Sequence, residues 1–284
     1  MRRFLLFLSP VLAILGCFSD VDRSKIGDHE PFQGSGDLPR EAGGKDPAIS
    51  TGEAGADAPL APSSAGCSAK HDFCVDFDGA GQTPTELGFD EISAGERGTG
   101  SVSIEAGGRS APRCARVTTP NDPVNAPGLY AGLLRTIDGT RGFELAFDVE
   151  VQAPDWTGYG EESNFKIALV STAHNTVTLS LHILHPPAGG GPNQLGIVFV
   201  DPADQGQQSF VAFPYGAWVH VDVAVAPTGI LVKVDGKTGF TRGAVAFDQP
   251  GRAIADGFAL GSIRDTDRAP ATDVRIDNIV FDYR

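Results

Sequence analysis

The chain has 284 residues, 41% of them hydrophobic by type, and a formal charge of -14 at pH 7. Acidity on this scale excludes nucleic acid as a partner, because no basic stripe is present to neutralise phosphates, and excludes charge-driven adhesion to anionic lipid. The 36 glycines and 20 prolines, beside a single methionine, exclude a chain of long helices and predict many turns.

Met1-Arg2-Arg3 is a basic start, and Phe4 to Leu15 is an apolar run of signal-peptide length, shorter than the roughly 20 residues that span a bilayer. The run ends in Ile14-Leu15-Gly16-Cys17, which resembles the bacterial lipobox. The resemblance implies cleavage before Cys17 and diacylglycerol on its sulfur, so residues 1–16 are expected to be a lipoprotein signal peptide. Two or three acyl chains, at about 0.8 kcal/mol per buried methylene, anchor a protein durably. Phe18 is not the Asp that marks inner-membrane retention in enteric-type lipoproteins. The expected address is therefore the outer membrane or cell surface of a Gram-negative host.

Residues 17–66 read as a lipidated, disordered tether. Gly34-Ser35-Gly36-Asp37, Glu41-Ala42-Gly43-Gly44 and Ala54-Gly55-Ala56-Asp57-Ala58-Pro59 lack apolar periodicity and cannot bury enough surface to offset ordering entropy. As a coil the tether has a reach of roughly 40 Å, and stretched it spans on the order of 150 Å.

About 218 residues remain from Cys67 onward, a normal size for one all-β sandwich. Strands are predicted at Phe73 to Phe77, Ser101 to Ala106, Cys114 to Thr118, Leu129 to Thr136, Phe143 to Val151, Phe165 to Ser171, Thr176 to Leu184, Leu195 to Val200 and Gln208 to Phe213. A β-meander follows from Trp218 to Phe240, then Phe258 to Ile263 and Val274 to Asp282. In the meander, Val219, Val221, Val223 and Val225 share one face, and Pro227-Thr228-Gly229 and Asp235-Gly236 turn the chain. No segment nearby has helical spacing, so the Val face needs a second sheet as its partner. The predicted class is all-β, with two packed antiparallel sheets over residues 67–284.

Three stretches now carry a family resemblance: Phe73-Cys74-Val75-Asp76-Phe77-Asp78-Gly79, Trp218-Val219-His220-Val221 with Ile230 to Gly236, and Ile276-Asp277-Asn278-Ile279-Val280-Phe281-Asp282. Together they resemble bacterial concanavalin A-like, or laminin-G-like, jelly-roll domains on lipoproteins. The resemblance implies that the first and last strands pair, and that an exposed sheet face or one loop rim binds carbohydrate or protein. Calcium is the cofactor it implies, with Asp76 and Asp78 on the first strand and Asp277 and Asp282 on the last as oxygen donors.

With Cys17 assigned to lipid, Cys67, Cys74 and Cys114 allow one disulfide and one thiol. Cys67 with Cys74 is the preferred pair, pinning the tether to the first strand. Cys74 with Cys114 is the alternative, stapling two strands.

No G-x-S-x-G, H-E-x-x-H or complete G-x-G-x-x-G occurs. Glu144, Asp148 and Glu150 project opposite the Phe/Val set of their strand, where glycosidases of the resembled superfamily carry Glu-x-Asp-x-Glu. Here the stretch is Ala146-Phe147-Asp148-Val149-Glu150, and Ala146 replaces the nucleophile, which excludes retaining hydrolysis by that arrangement. The candidate ligand site is the polar loop at residues 153–164, where Trp156 and Tyr159 offer rings for stacking a sugar and Glu161 and Asn164 take its hydroxyls. A loop Trp that folds back over the sheet's end is the competing reading. His182 and His185 are placed on the same rim or in solvent.

The function expected is a membrane-anchored module that binds carbohydrate or an envelope protein. A glycan-active enzyme with an unrecognised catalytic set and a structural envelope protein are the alternatives.

Overall fold

The computed structural model describes residues 67, 70–79, 83–94, 100–110, 112–121, 130–138, 141–161, 163–172, 177–187, 191–201, 204–244, 256–263 and 269–284. The expected leader, Cys17 and the tether lie outside the described residues.

Among these, the chain forms β1 (Phe73–Val75), β2 (Asp90–Ala94), β3 (Ser101–Ala106), β4 (Arg113–Thr119), β5 (Tyr130–Thr136), β6 (Phe143–Val151), β7 (Asn164–Thr172) and β8 (Val177–Leu184). It continues through β9 (Gln194–Asp201), β10 (Asp204–Ala212), β11 (Trp218–Ala226), β12 (Gly229–Val234), β13 (Lys237–Arg242), β14 (Gly257–Ile263) and β15 (Thr272–Tyr283). They build two antiparallel sheets, the expected jelly-roll-like sandwich. Sheet A runs β13-β12-β11-β6-β15-β4-β3, with β1 also pairing β15, and sheet B runs β10-β9-β8-β7-β14-β5-β2.

Period-two alternation decides which face of each strand is hidden. On β6, Phe143, Leu145, Phe147, Val149 and Val151 are buried, and their partners on β11 are Val225, Val223, Val221 and Val219 for the first four. Leu179, Leu181 and Ile183 of β8, Leu195, Ile197 and Phe199 of β9, and Phe258 and Leu260 of β14 close over them from sheet B. Each such side chain contributes about 1.5 to 3 kcal/mol by leaving water, an upper bound because unfolded chains are themselves partly compact.

The meander turns as predicted. Ala226 pairs Gly229 and Val234 pairs Lys237, so both loops have two residues. Asp235 and Gly236 have φ of 47° and 73°, the doubly left-handed turn whose twist matches a hairpin. The return leg leads into a third strand, β13. β2 was not anticipated: Asp-Glu-Ile-Ser-Ala offers no apolar alternation and pairs with β5 through its backbone.

The first and last strands pair as the resemblance implies, with Phe73 opposite Phe281, Cys74 opposite Val280 and Val75 opposite Ile279. β15 lies between β6 and β4, inside sheet A. The disulfide joins Cys67 to Cys74, the preferred pairing, and Cys114 is a buried free thiol. Burial pushes that thiol up to about 11, which keeps it protonated and unreactive at neutral pH.

Candidate functional site

Because Leu179, Leu181 and Ile183 of β8 face the core, Ser180 and His182 face outward from sheet B. Register then lays out a row. His182 stands opposite Lys166 of β7 on one side and Gly196 of β9 on the other, and Gly196 stands opposite Phe210 of β10. Phe210 is 49% exposed, and among the described residues no other large hydrophobic side chain is classed as exposed. Gly196 contributes no side chain, and a Cβ there would only reach Leu184 at 3.4 Å. The side chain of Leu184 therefore lies over the floor between the Phe210 ring and the imidazole, which stand two strand spacings or about 10 Å apart.

The imidazole is held at both nitrogens. Its Nδ1 lies 3.0 Å from Asn164 Oδ1 and its Nε2 lies 2.7 Å from Ser180 Oγ. Amide oxygen can only accept, so Nδ1 carries the proton and Nε2 accepts from the Ser180 hydroxyl. Burial, reinforced by Lys166, pulls His182 down to about 3, so the ring is neutral at physiological pH.

A serine, a neutral histidine and an asparagine in line suggest a nucleophilic relay, but the position forbids acyl transfer. Ser180 is paired with Leu169 on one side and Val198 on the other, in the middle of the sheet. The ladder occupies the N–H groups that would form an oxyanion hole. The row carries a ring, an imidazole, a hydroxyl, an amide and an ammonium on one face, with the Ser180 hydroxyl buried and both imidazole nitrogens hydrogen-bonded within the row.

The outer face of sheet A is organised differently. Ala146, Asp148 and Glu150 do share that face, as their spacing implies. Asp148, 5% exposed, accepts at Oδ1 from Arg109 Nη1 at 2.6 Å and His220 Nδ1 at 2.7 Å, and at Oδ2 from Asn278 Nδ2 at 2.7 Å. Asn278 reaches it because β15 bulges between Asp277 and Val280, where Asn278 has a φ of 49°. Asp277, fully buried, accepts from the N–H and hydroxyl of Ser110 in the β3–β4 loop. Gly108 is required for that loop to lie down, since a Cβ there would stand 1.9 Å from the Arg113 carbonyl oxygen. Glu150 is met by Gln152 at 2.6 Å and Arg275 at 3.3 Å. These carboxylates are spent on internal partners, which suits a clamp rather than a catalytic pair.

His220 gives the clamp a pH signature. The hydrogen bond to Asp148, then that to Asp222, raise it to about 9 against the opposing effect of burial. A folded pKa above the ordinary 6.5 means that its stabilisation is complete below about 6.5 and is lost as pH rises through about 9. The unfolding free energy from chemical denaturation is expected to fall over that window by on the order of 1 to 2 kcal/mol, and His220→Gln is expected to flatten the profile.

The residues singled out for ligand binding are not gathered into one site. Trp156 is half-buried, stacked on Phe165 at 6.2 Å with its ring near His185 at 5.2 Å and Tyr159 at 6.5 Å. It packs on the core and covers the end of the sandwich, the competing reading of this loop. The Tyr159 hydroxyl donates to Asn121 Oδ1, Glu161 is exposed, and Asn164 serves His182. The carboxylates expected for calcium are split by antiparallel pairing. Asp282 accepts from the Asp72 N–H and meets His71 Nδ1 at 2.7 Å near the start of β1, whereas Asp76 and Asp78 follow its other end. Among the described residues no group of three or more His, Cys, Asp or Glu is arranged to hold a metal.

Phe210, Ser180 and Lys166 were not singled out by sequence. The outward set Thr178, Ser180 and His182 was legible from the alternation of β8; the exposure of Phe210 was not, because Phe-Val-Ala-Phe leaves the buried parity open until β9 sets it.

No family model matches the chain, and no curated protein matches it. Among solved structures it is similar to alginate lyase Aly36B, at 16% identity and a TM-score of 0.46 over 68% of this chain and 96% of that one. It is similar to alginate lyase AlyC3 at 11% identity and 0.43, over 60% and 75% of the two chains. It is also similar to the botulinum neurotoxin type G receptor binding domain at 11% and 0.46, over 75% of this chain and 47% of that one. Identities this low carry no residue roles across.

Proposed function

We propose that the chain is an exported, lipid-anchored protein whose sandwich binds a glycan across the outer face of sheet B. The observation that supports this most is the exposed Phe210 in one row with Gly196 and the fixed, neutral His182. A sugar presents an axial C–H face and an equatorial hydroxyl rim. The first stacks on an exposed ring, a contact of about 0.5 to 1.5 kcal/mol beyond the area it buries, and the second needs a mixture of donors and acceptors. Ser180, His182 and Asn164 carry that mixture two strands from the ring, tied to one another until a ligand competes for them.

Titration calorimetry of the purified protein against hits from a glycan array tests the reading. Saturable binding is expected, weakened at least about tenfold in Phe210→Ala with an unchanged melting temperature, because truncating a central exposed aromatic removes contact area and no core. An array with no binder overturns it.

One observation favours a second reading, a glycan-active enzyme: Asn164 fixes a neutral His182 whose Nε2 accepts from the Ser180 hydroxyl, a pairing through which a proton can pass. Release of product from a bound polysaccharide, lost in His182→Ala, distinguishes it from simple binding. The anchor is tested separately by palmitate labelling of the protein and of Cys17→Ser, which is expected to remain unlabelled.

A further inference from the structure

β1 offers three positions for pairing, Phe73 to Val75, and they pair with the last strand, β15. Just before them, within the span that the Cys67–Cys74 disulfide closes, His71 and Asp72 grip the end of β15. His71 Nδ1 lies 2.7 Å from Asp282 Oδ2, the Asp72 N–H donates to Asp282 Oδ1 at 3.0 Å, and the Tyr283 N–H donates to the Asp72 carboxylate at 2.8 Å. Beyond β1 the chain turns a corner at Phe77, whose ring is fully buried and stacked on Phe89. Phe77 has a φ of 57°, a left-handed conformation that a bulky side chain holds only where its surroundings impose it.

Three paired positions and three hydrogen bonds through half-buried His71 and exposed Asp72 are a weak hold on a segment whose ordering costs entropy at every residue. The disulfide changes the balance. Joining residues seven apart, it withholds most of the freedom that the span would regain on letting go. Opening it returns that freedom without removing a single contact to β15. Phe77 limits the release, because its ring stays in the core.

We infer that His71 to Val75 form a redox-sensitive latch on the last strand, closed over Asp282 and Tyr283 while Cys67 and Cys74 are a disulfide and released when they are thiols. The effector is a dithiol reductant. One of its thiolates attacks a sulfur of the pair, and the second displaces the mixed disulfide that results. The reductant leaves as its own disulfide, and the two protons its thiols gave up end on Cys67 and Cys74. Both of these residues are half-buried, whereas Cys114 is fully buried and is a thiol in either state. The inference stands apart from the glycan and anchor readings.

Hydrogen exchange of the full chain, read by peptide with and without dithiothreitol, tests it. Reduction is expected to speed exchange at least about tenfold in peptides covering residues 70–75 and 279–283, and to leave those of β6 and β11 unchanged. Cys67→Ser, which leaves Cys74 a thiol, is expected to show the fast pattern before any reductant is added. Equal exchange in the two states overturns the inference, since the covalent link then holds nothing closed. Acceleration throughout both sheets also overturns it, since the disulfide then supports the whole fold and no local latch exists. So does a folded protein that keeps its disulfide under excess dithiothreitol.

Discussion

Replacing Asp148 by Ala is expected to destabilise the domain by about 3 to 5 kcal/mol, as breaking a buried ion pair by removing one partner does. The carboxylate is 5% exposed and accepts from Arg109, His220 and Asn278 at 2.6 to 2.7 Å. Without it two cationic groups, 25% and 30% exposed, and an amide lose their counterpart, and the β3–β4 loop loses the tie that Arg109 provides. Chemical denaturation gives the magnitude. Asp148→Asn supplies the control on mechanism: it keeps the shape and removes the charge, so the His220 resonance should titrate closer to the ordinary 6.5 than to about 9. A variant as stable as the parent, with His220 unmoved, would show that the network is solvated and of little energetic weight.

Phe281→Ala is expected to cost a similar amount, about 3 to 5 kcal/mol, for a different reason: the lost transfer energy of a ring plus the cavity it leaves. Phe281 is 2% exposed and its ring lies 5.5 Å from Phe143, 5.7 Å from Phe258 and 4.9 Å from Tyr283. Phe143 and Tyr283 belong to sheet A and Phe258 to sheet B, so one ring joins the two layers. The check is a lower urea midpoint with an unchanged slope. Phe210→Ala, on an exposed face, should shift stability by no more than about 0.5 kcal/mol, which makes the two phenylalanines a paired control.

The layers were legible in the sequence wherever one face had to be dry. β6, β8 and β11 alternate because a one-residue slip would expose Phe147, Leu181 or Val221 to solvent. β2 was invisible because its contribution is backbone pairing at an edge, which no side-chain pattern records. The bulge at Asp277 and Asn278 was equally hidden: asparagine tolerates a positive φ, but only the clamp around Asp148 gives it cause to adopt one. Trp156 shows the converse. A Trp among glycines and acids reads as displayed, yet the open end of the sandwich beside Phe165 takes the ring because burying it outweighs the polarity of its neighbours. The row on sheet B depends on which strands are neighbours, a property of topology that no local window contains.

The place of β15 inside sheet A has a consequence for biosynthesis. A ribosome that has made residues 1 to 271 has made β6 and β4 but not the strand that separates them, and β1 has no neighbour either. Sheet A therefore waits in two parts, β13-β12-β11-β6 and β4-β3, for a dozen late residues to join them. A nascent polypeptide of this topology cannot close its first sheet until its last strand has been made.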